Sequence, residues 1–405
     1  MELSIRRLQA VPWDALEGIV ETVLPPIQRV LAGAAAEREI DALLRANRTL
    51  DTRQRAAVVE AIFGVGLWRR RLAVHTGSPD PRALLFALLR DLSGVEESQA
   101  AKLVALTSSL PARVPAPDRL ADRWSYPDWI EAVFLRESAD HAEALAAAMC
   151  APGPICLRAN ALRTTREALA LALHAEGVLT RPARFARDAL IVTSERPNLL
   201  ALDAYRDGWF EVQDEASQLV AQIVAARPGE TVLDFCAGAG GKTLALAAAM
   251  RGEGRLAAWD PNPEHLRRLE ARARRAGAVV EIDRDVEADA VLVDAPCSEL
   301  GTLRRGPDVR FRLREEDALR FPSVQRETLE AALSRVRRGG RLVYATCTIR
   351  REENEDVALA FEQSHPELKR ARLDVPAELV RDGFLRTWPD LHDMDGFFAA
   401  AWRRL

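Results

Sequence analysis

Residues 231–243 read TVLDFCAGAGGKT. An apolar run with β-branched residues enters a turn with glycines at 238, 240 and 241, and Lys242 and Thr243 open the stretch that follows. Strand, glycine turn and helix in that order begin a βαβ unit, in which a ligand can approach the backbone amides of a helix N-terminus. The turn is not a P-loop: that motif needs a glycine six residues before Lys242, and Cys236 stands there. Working outward, the pattern predicts strands over 231–235, 255–259, 278–282, 290–294 and 341–346. Helices are predicted to start near 242, 263, 315 and 352. Strands alternating with helices predict a parallel sheet covered on both faces. Residues 384–388 and 397–402 read as a closing antiparallel pair. Asp260 ends the second strand, about twenty residues past the glycines, where a carboxylate accepts hydrogen bonds from ribose hydroxyls. A nucleoside-bearing cofactor is expected, and both NAD and S-adenosylmethionine satisfy this signal.

Two cysteines stand in similar settings, DAPCS over 294–298 and YATCT over 344–348. Each follows directly on a predicted strand, and ligands of open parallel sheets bind outside the carboxyl ends of the strands. If the two strands are neighbours, Cys297 and Cys347 face one pocket. One free cysteine is usually a small buried hydrophobe; two at strand ends above one crevice point to chemistry. Cys236 ends the first strand, but no ligand spacing supports a zinc site, and no metal is expected.

Upstream, residues 1–145 are helical in pattern. The runs Leu31–Leu44, 56–63 (AAVVEAIF), 81–92 and 127–135 carry apolar residues at helical spacing, with Asp51 and Thr52 as a helix start and breaks at 77–81 and 111–117. Residues 146–228 change texture: strands over 154–160, 190–193 and 209–213 and a helix over 165–177 make a small α+β unit. Between 155 and 187 lie six arginines and two glutamates, a local basic excess. The 229–405 remainder is the α/β part. The whole chain has 405 residues, 48% hydrophobic and 29% charged, which supports a packed core and excludes wholesale disorder. Its net charge of −4 does not advertise a polyanion partner, so any nucleic-acid footprint is local. Five cysteines in a chain this long are no disulfide framework. With no secretory signal at residues 1–7 and no apolar run long enough to span a bilayer, a reduced, cytoplasmic protein is expected, with no membrane partner. Of 56 basic residues only Lys102, Lys242 and Lys369 are lysine; arginine does not replace lysine where a compact charge is needed, so Lys242 is singled out.

CAGAGGKT, DAPCS followed by GTLRRGPDVRFR, YATCTIRREENE, the ending DGFFAA and the upstream GWFEVQDEASQLVA together resemble the RNA cytosine-5 methyltransferases of the Sun (Fmu) family. With the N-terminal part included, the chain resembles the RsmB type, which acts on 16S rRNA. The Arg53–Arg71 stretch is similar to the NusB-like helical domain of that type. SYPDW over 125–129 is similar to a segment that usually has His where this chain has Tyr126. The resemblance implies a NusB-like helical domain over 1–145, an α+β RNA-binding subdomain over 146–228 and a Rossmann-like S-adenosylmethionine methyltransferase domain over 229–405. It also implies a reaction. Cytosine C5 is not nucleophilic enough to take a methyl group, and a thiolate added at C6 activates it. Cys347 is the implied nucleophile, Cys297 assists product release, Asp294 binds the base edge and Lys242 organises the site. S-adenosylmethionine is held by Cys236, Ala237, Gly238, Ala239, Gly240, Gly241, Lys242, Asp260 and Asp294, with Asp283 or Asp285 after the third strand. RNA contacts are expected from Arg158, Asn160, Arg163, Arg304, Arg305 and Arg310, on a chain expected to be monomeric. Glu299 and Leu300 depart from the small pair usual between the Pro-Cys motif and the next glycine.

Three other functions are set against this one. A tRNA cytosine methyltransferase carries the same chemistry on another RNA. A DNA cytosine methyltransferase uses the Pro-Cys thiol and has no need of Thr346-Cys347. An RNA-binding or assembly factor with a vestigial catalytic domain is expected to lose Cys347, Lys242 or Asp294, and all three are present.

Overall fold

The computed structural model describes residues 2–106, 114–195, 197–306 and 309–405. The break expected at 111–117 lies partly outside them. The chain forms two compact units: Met1–Pro152 with Leu303–Glu315, and Gly153–Thr302 with Glu316–Leu405.

The first unit is helical, as the NusB-like resemblance implies. Its longest helix, Thr52–Thr76, starts where expected: the Asp51 carboxylate accepts from Gln54 N at 2.8 Å and the Gln54 side chain accepts from Asp51 N at 3.1 Å. This reciprocal cap satisfies two amides that a helix start leaves open. Ala57, Ala61, Ile62, Val65, Trp68 and Leu72 are all buried, so this helix is the centre of its unit. The helix expected over 31–44 is instead two, Val20–Leu31 and Ala36–Ala46, because Gly33 between them takes φ +107°. The helix Ala142–Cys150 runs past the expected boundary at 145.

Residues 303–315 belong to this helical unit, which corrects two expected RNA contacts. Arg310 is wholly buried over the Tyr126 ring, its Nη2 donating to Met149 O at 3.2 Å and its Nη1 contacting the Cys150 sulfur at 3.2 Å. Tyr126, where the resemblance expects histidine, thus forms the floor for a structural arginine. Arg304 is also buried, whereas Arg305 is exposed.

The second unit begins with a four-stranded antiparallel sheet in the order β2-β3-β1-β4, from β1 (Cys156–Ala159), β2 (Thr180–Pro182), β3 (Ala189–Val192) and β4 (Phe210–Val212). Leu157, Leu190 and Phe210 pack one face against Leu169 and Leu173 of the helix Arg166–Ala175. Cys156, Ala189 and Ile191 pack the other against Ala216, Leu219 and Val220 of the helix Glu215–Ile223. Covering both faces buries all of β1, Arg158 included. Arg158 Nε donates to Gln213 Oε1 at 2.6 Å, and burial pulls its guanidinium down to about 10. Asn160 is likewise buried, its amide donating to Gly208 O and Ala276 O, both at 2.8 Å. Neither side chain reaches an RNA surface in this arrangement. Arg163 is exposed, with Nε donating to Ala276 O at 3.3 Å.

The larger sheet contains β5 (Thr231–Asp234), β6 (Arg255–Ala258), β7 (Glu281–Ile282), β8 (Ala288–Asp294), β9 (Val336–Thr346), β10 (Leu368–Arg370), β11 (Val380–Arg381), β12 (Phe384–Arg386) and β13 (Phe398–Arg404). Its order is β11-β12-β13-β9-β8-β5-β6-β7, with β10 on β13. β5 to β9 pair in parallel, and β13 runs antiparallel to β9. This is a Rossmann-like sheet. The chain steps from β5 to β6 and β7, then returns to β8 on the other side of β5. The strand order therefore reverses beside β5, the point where open α/β sheets bind ligands. The expected third strand shrinks to two residues at the sheet edge, where pairing comes from β6 alone. The helix expected near 315 is one turn, Glu315–Ala318, and the long helix is Phe321–Leu333 with proline in its first turn. The helix Glu215–Ile223 shares a hydrophobic core with Val232, Leu246 and Leu292, so the α/β packing begins upstream of 229. No helix among the described residues is long and apolar enough to cross a membrane.

Candidate active site

β5 ends at Asp234, and the turn behind it needs glycine at one position for two separate reasons. Gly240 takes φ +87°, and a Cβ there would lie 2.8 Å from Leu269 Cγ. It caps the helix Gly241–Ala249. Over Gly238 no atom comes within 4 Å of where a side chain would start, leaving room beside a helix N-terminus. Asp260, just past β6, reaches back to this turn: Oδ2 accepts from Gly238 N at 2.9 Å, and Oδ1 accepts from Asn262 N at 2.8 Å and faces His265 Nδ1 at 3.0 Å. A carboxylate has about four lone-pair sites, so acceptor capacity remains beside the turn. Cys236 is half-buried, and burial pushes its thiol up. Asp283 directly follows β7; its Oδ2 lies 3.2 Å from Arg255 and its Oδ1 accepts from Asp285 N at 2.8 Å. Asp285 is more exposed and pairs with Arg335, which precedes β9. Asp283 stands at the carboxyl end of β7, its amide donating to Ala258 O at 3.2 Å, although its carboxylate turns to Arg255 at the start of β6; Asp285 is tied to the segment before β9.

Asp234 is wholly buried. Its Oδ2 accepts from Thr243 Oγ1 at 2.7 Å, and its Oδ1 has no hydrogen-bond partner among the described residues. Burial pushes its pKa from 3.8 to about 7. Between those two values the unfolded chain loses this proton while the native chain keeps it, so native stability falls as pH rises through that window. Asp234→Asn removes the dependence. Its stability advantage over the wild type should grow from pH 4 to pH 7 by up to roughly 4 kcal/mol. Chemical denaturation at a series of pH values checks this; parallel curves for the two proteins would exclude it.

The condition set for the two thiols is met. β8 and β9 are parallel neighbours with Asp294 opposite Ala345, and Cys297 Sγ lies 3.4 Å from Cys347 Sγ. Cys297 is buried and Cys347 half-buried. The Cys297 thiol is pushed well above its ordinary range by its hydrogen bond with Cys347, by burial and by the Glu353 carboxylate. Either sulfur can donate the hydrogen between them. Beside them Lys242 Nζ donates to Asp294 Oδ2 at 2.6 Å, and the ammonium sits 5.0 Å from the centre of the Phe397 ring. The loop after Cys297 closes tightly. Gly301 N donates to Cys347 O at 2.9 Å, and a Cβ at Gly301 would lie 1.9 Å from Gly396 O. Glu299 in that loop takes φ +57°, a conformation that costs a residue with a Cβ about 1 kcal/mol.

Sequence reading missed the support beneath the thiols. Glu353 is wholly buried. Its Oε2 accepts from Ser298 N at 2.9 Å and Gln325 Nε2 at 3.0 Å, and its Oε1 accepts from Arg350 at 3.0 Å. Ser298 Oγ lies 2.8 Å from Thr348 Oγ1, and Asn354 donates to Thr348 O at 2.9 Å. One buried carboxylate thus ties the Cys297 loop to the chain that follows Cys347. The signal was present in the acidic run behind YATCT, which reads as solvated charge unless its burial is known. Among the described residues no group of His, Cys, Asp or Glu is arranged to hold a metal ion.

Residues 221–403 match the family model described as 16S rRNA methyltransferase RsmB/F, and residues 126–198 match the ferredoxin-like domain of the same group. The probable ribosomal RNA small subunit methyltransferase B of Bacillus subtilis is 31% identical over 309 residues, covering 71% of this chain and 68% of that protein. The chain belongs to the RsmB/F family. The ribosomal RNA small subunit methyltransferase B of Vibrio cholerae is 30% identical over 357 residues, 85% of this chain and 76% of that protein. The crystal structure of PH0851 shares the fold at TM-score 0.78 and 24% identity, covering 98% of this chain and 99% of that one. Within the family frame, the ferredoxin-like domain corresponds in part to the β1–β4 sheet.

Proposed function

We propose that this RsmB/F family member methylates C5 of a cytosine in RNA, with 16S rRNA as the substrate, S-adenosylmethionine as the methyl donor and Cys347 as the nucleophile. One observation carries the reading: two thiols 3.4 Å apart at the ends of adjacent parallel strands, with the Lys242–Asp294 pair beside them. A vestigial site would have lost one of these four groups. The names of the curated relatives support rRNA as the substrate.

The glycine turn fits the donor, with room over Gly238, a helix N-terminus at Gly241 and the Asp260 carboxylate. Asp283 is our choice for the third-strand contact. S-adenosylmethionine bound there supplies an electrophilic methyl group. The chain's own residues do the rest. Cys347 sulfur forms a bond to C6, and the displaced π pair makes C5 nucleophilic. Asp294, pinned by Lys242, meets the N3 edge and relays to N3 the proton that the Cys347 thiol gives up, which neutralises the negative charge that the attack puts on the ring. After transfer the C5 proton passes to solvent, its electron pair re-forms the C5–C6 double bond, and the Cys347–C6 bond breaks with its pair returning to sulfur, which regains the N3 proton through Asp294. Cys297, held as a thiol, hydrogen-bonds to the departing Cys347 sulfur. Of the expected RNA contacts, exposed Arg163 and Arg305 remain candidates for phosphates, which position RNA without specifying sequence.

Incubation with methyl-labelled S-adenosylmethionine and undermethylated 16S rRNA, followed by nucleoside mass spectrometry, should place the label in 5-methylcytidine. Label in any other nucleoside would overturn the reading. Asp260→Ala should weaken S-adenosylmethionine binding about tenfold or more, since a charge-assisted hydrogen bond contributes ~1.5–3 kcal/mol and the glycine turn also loses its tie. Calorimetry showing unchanged affinity would remove Asp260 from the cofactor site.

A further inference from the structure

The glycine turn is held by an ionic arm reaching from the small sheet. Glu211 on β4 is only 3% exposed, unusual for a carboxylate, and it faces two arginines of the helix Pro263–Ala276. Its Oε2 accepts from Arg272 Nε at 3.1 Å and Nη2 at 2.7 Å, and its Oε1 pairs with Arg275. The two arginines then diverge. Arg272 Nη1 donates to Ala239 O at 2.8 Å, inside the glycine turn. Arg275 donates to Tyr205 O at 3.0 Å and Phe210 O at 3.3 Å, away from it. The same helix supplies Leu269, the side chain against which Gly240 rests.

We infer that Arg272, oriented by Glu211, is a positioning residue for cofactor binding; this rests on the reading of the glycine turn as the S-adenosylmethionine site. A peptide unit is planar, so holding Ala239 C=O fixes the plane of the 239–240 peptide that leads into the helix Gly241–Ala249. The Gly240 amide donates inward to Ala237 O at 2.9 Å. Rotating that peptide would reshape the surface the cofactor meets. A guanidinium suits the task because its planar fork engages a carboxylate on one side while a further N–H reaches a carbonyl. Glu211 is placed to aim that fork: without its two bonds the Arg272 side chain has no reason to hold one rotamer. The β4 strand thereby sets the geometry of a loop outside its own sheet.

Arg275 provides an internal control, because it uses the same carboxylate and does not touch the turn. The experiment compares Arg272→Met, Arg275→Met and Glu211→Gln in the full chain, measuring S-adenosylmethionine affinity by calorimetry, thermal unfolding and steady-state methyl transfer. Both arginine variants should lose comparable thermal stability. Only Arg272→Met and Glu211→Gln should lose affinity, by about tenfold, and the loss should appear as a higher KM for the cofactor with kcat at saturation near that of the wild type. If Arg272→Met binds the cofactor as tightly as Arg275→Met, or if kcat falls with KM unchanged, the positioning role is wrong. If the wild type itself binds no S-adenosylmethionine, the cofactor reading fails first and the inference falls with it.

Discussion

On a denaturing gel of protein incubated with labelled RNA and S-adenosylmethionine, Cys297→Ala should carry a slow-moving protein–RNA band and Cys347→Ala should carry none. The two sulfurs lie 3.4 Å apart, yet their environments separate their roles. Cys297 is buried and raised by its hydrogen bond to Cys347 and by Glu353, so it remains a thiol. Cys347 is the more open of the two. Cys347→Ala removes the atom that bonds C6, and methyl transfer should fall to background. Cys297→Ala leaves attack and transfer intact but removes the hydrogen bond to the departing sulfur, so the adduct should accumulate and should require S-adenosylmethionine. An adduct in Cys347→Ala but not in Cys297→Ala would reverse the roles and favour the DNA-type mechanism. Methylation undiminished in both variants would make the thiols structural.

The second large effect is expected at Lys242. Burial pulls its ammonium down, but Asp294, with Cys347 and Asp234 beyond it, more than offsets this, so the lysine stays charged. Its side chain is 10% exposed and that of Asp294 29%. Lys242→Met leaves Asp294 as a largely buried carboxylate without its cation. Breaking such a pair costs ~3–5 kcal/mol when burial is complete, and the partial exposure of Asp294 reduces that figure. The catalytic loss should exceed the stability loss, because Asp294 no longer holds one orientation toward the base: single-turnover methyl transfer should drop at least ~10²-fold. Lys242→Arg should not restore the rate, since a planar guanidinium does not fit a point charge under the Phe397 ring. Wild-type rates in Lys242→Met would take the lysine out of the mechanism.

Much of the candidate site was legible because its groups sit at or just behind strand ends. Each of Asp294, Cys297 and Cys347 follows an apolar run short enough to be one strand, and strand ends are where an open α/β sheet exposes side chains. Glu353 was not legible: in sequence an acidic run after a motif looks solvated, and only packing reveals a carboxylate with three donors. The RNA-contact arginines show the opposite error. Charge counted along 155–187 treats every arginine as surface, but β1 is covered on both faces and takes Arg158 inside with it. Arg310 belongs to an arginine-rich run that reads as an RNA grip, and Tyr126 with the carbonyls around it makes that arginine a core residue instead.

By itself the sequence pointed to most of the element types, the glycine turn and the candidate site groups, because these depend on local periodicity and on motifs within a few residues. Whether Cys297 and Cys347 lie side by side depends on strand order, a long-range property that β8 and β9 settle by pairing. Asp283 is proposed over Asp285 because it directly follows β7, whereas Asp285 pairs with Arg335 ahead of β9. Which arginines are surface and which are core turned on how many faces of a sheet are covered. Tertiary packing decided these points because burial and adjacency arise between segments far apart in the chain, and no local pattern encodes the partner that a side chain will meet.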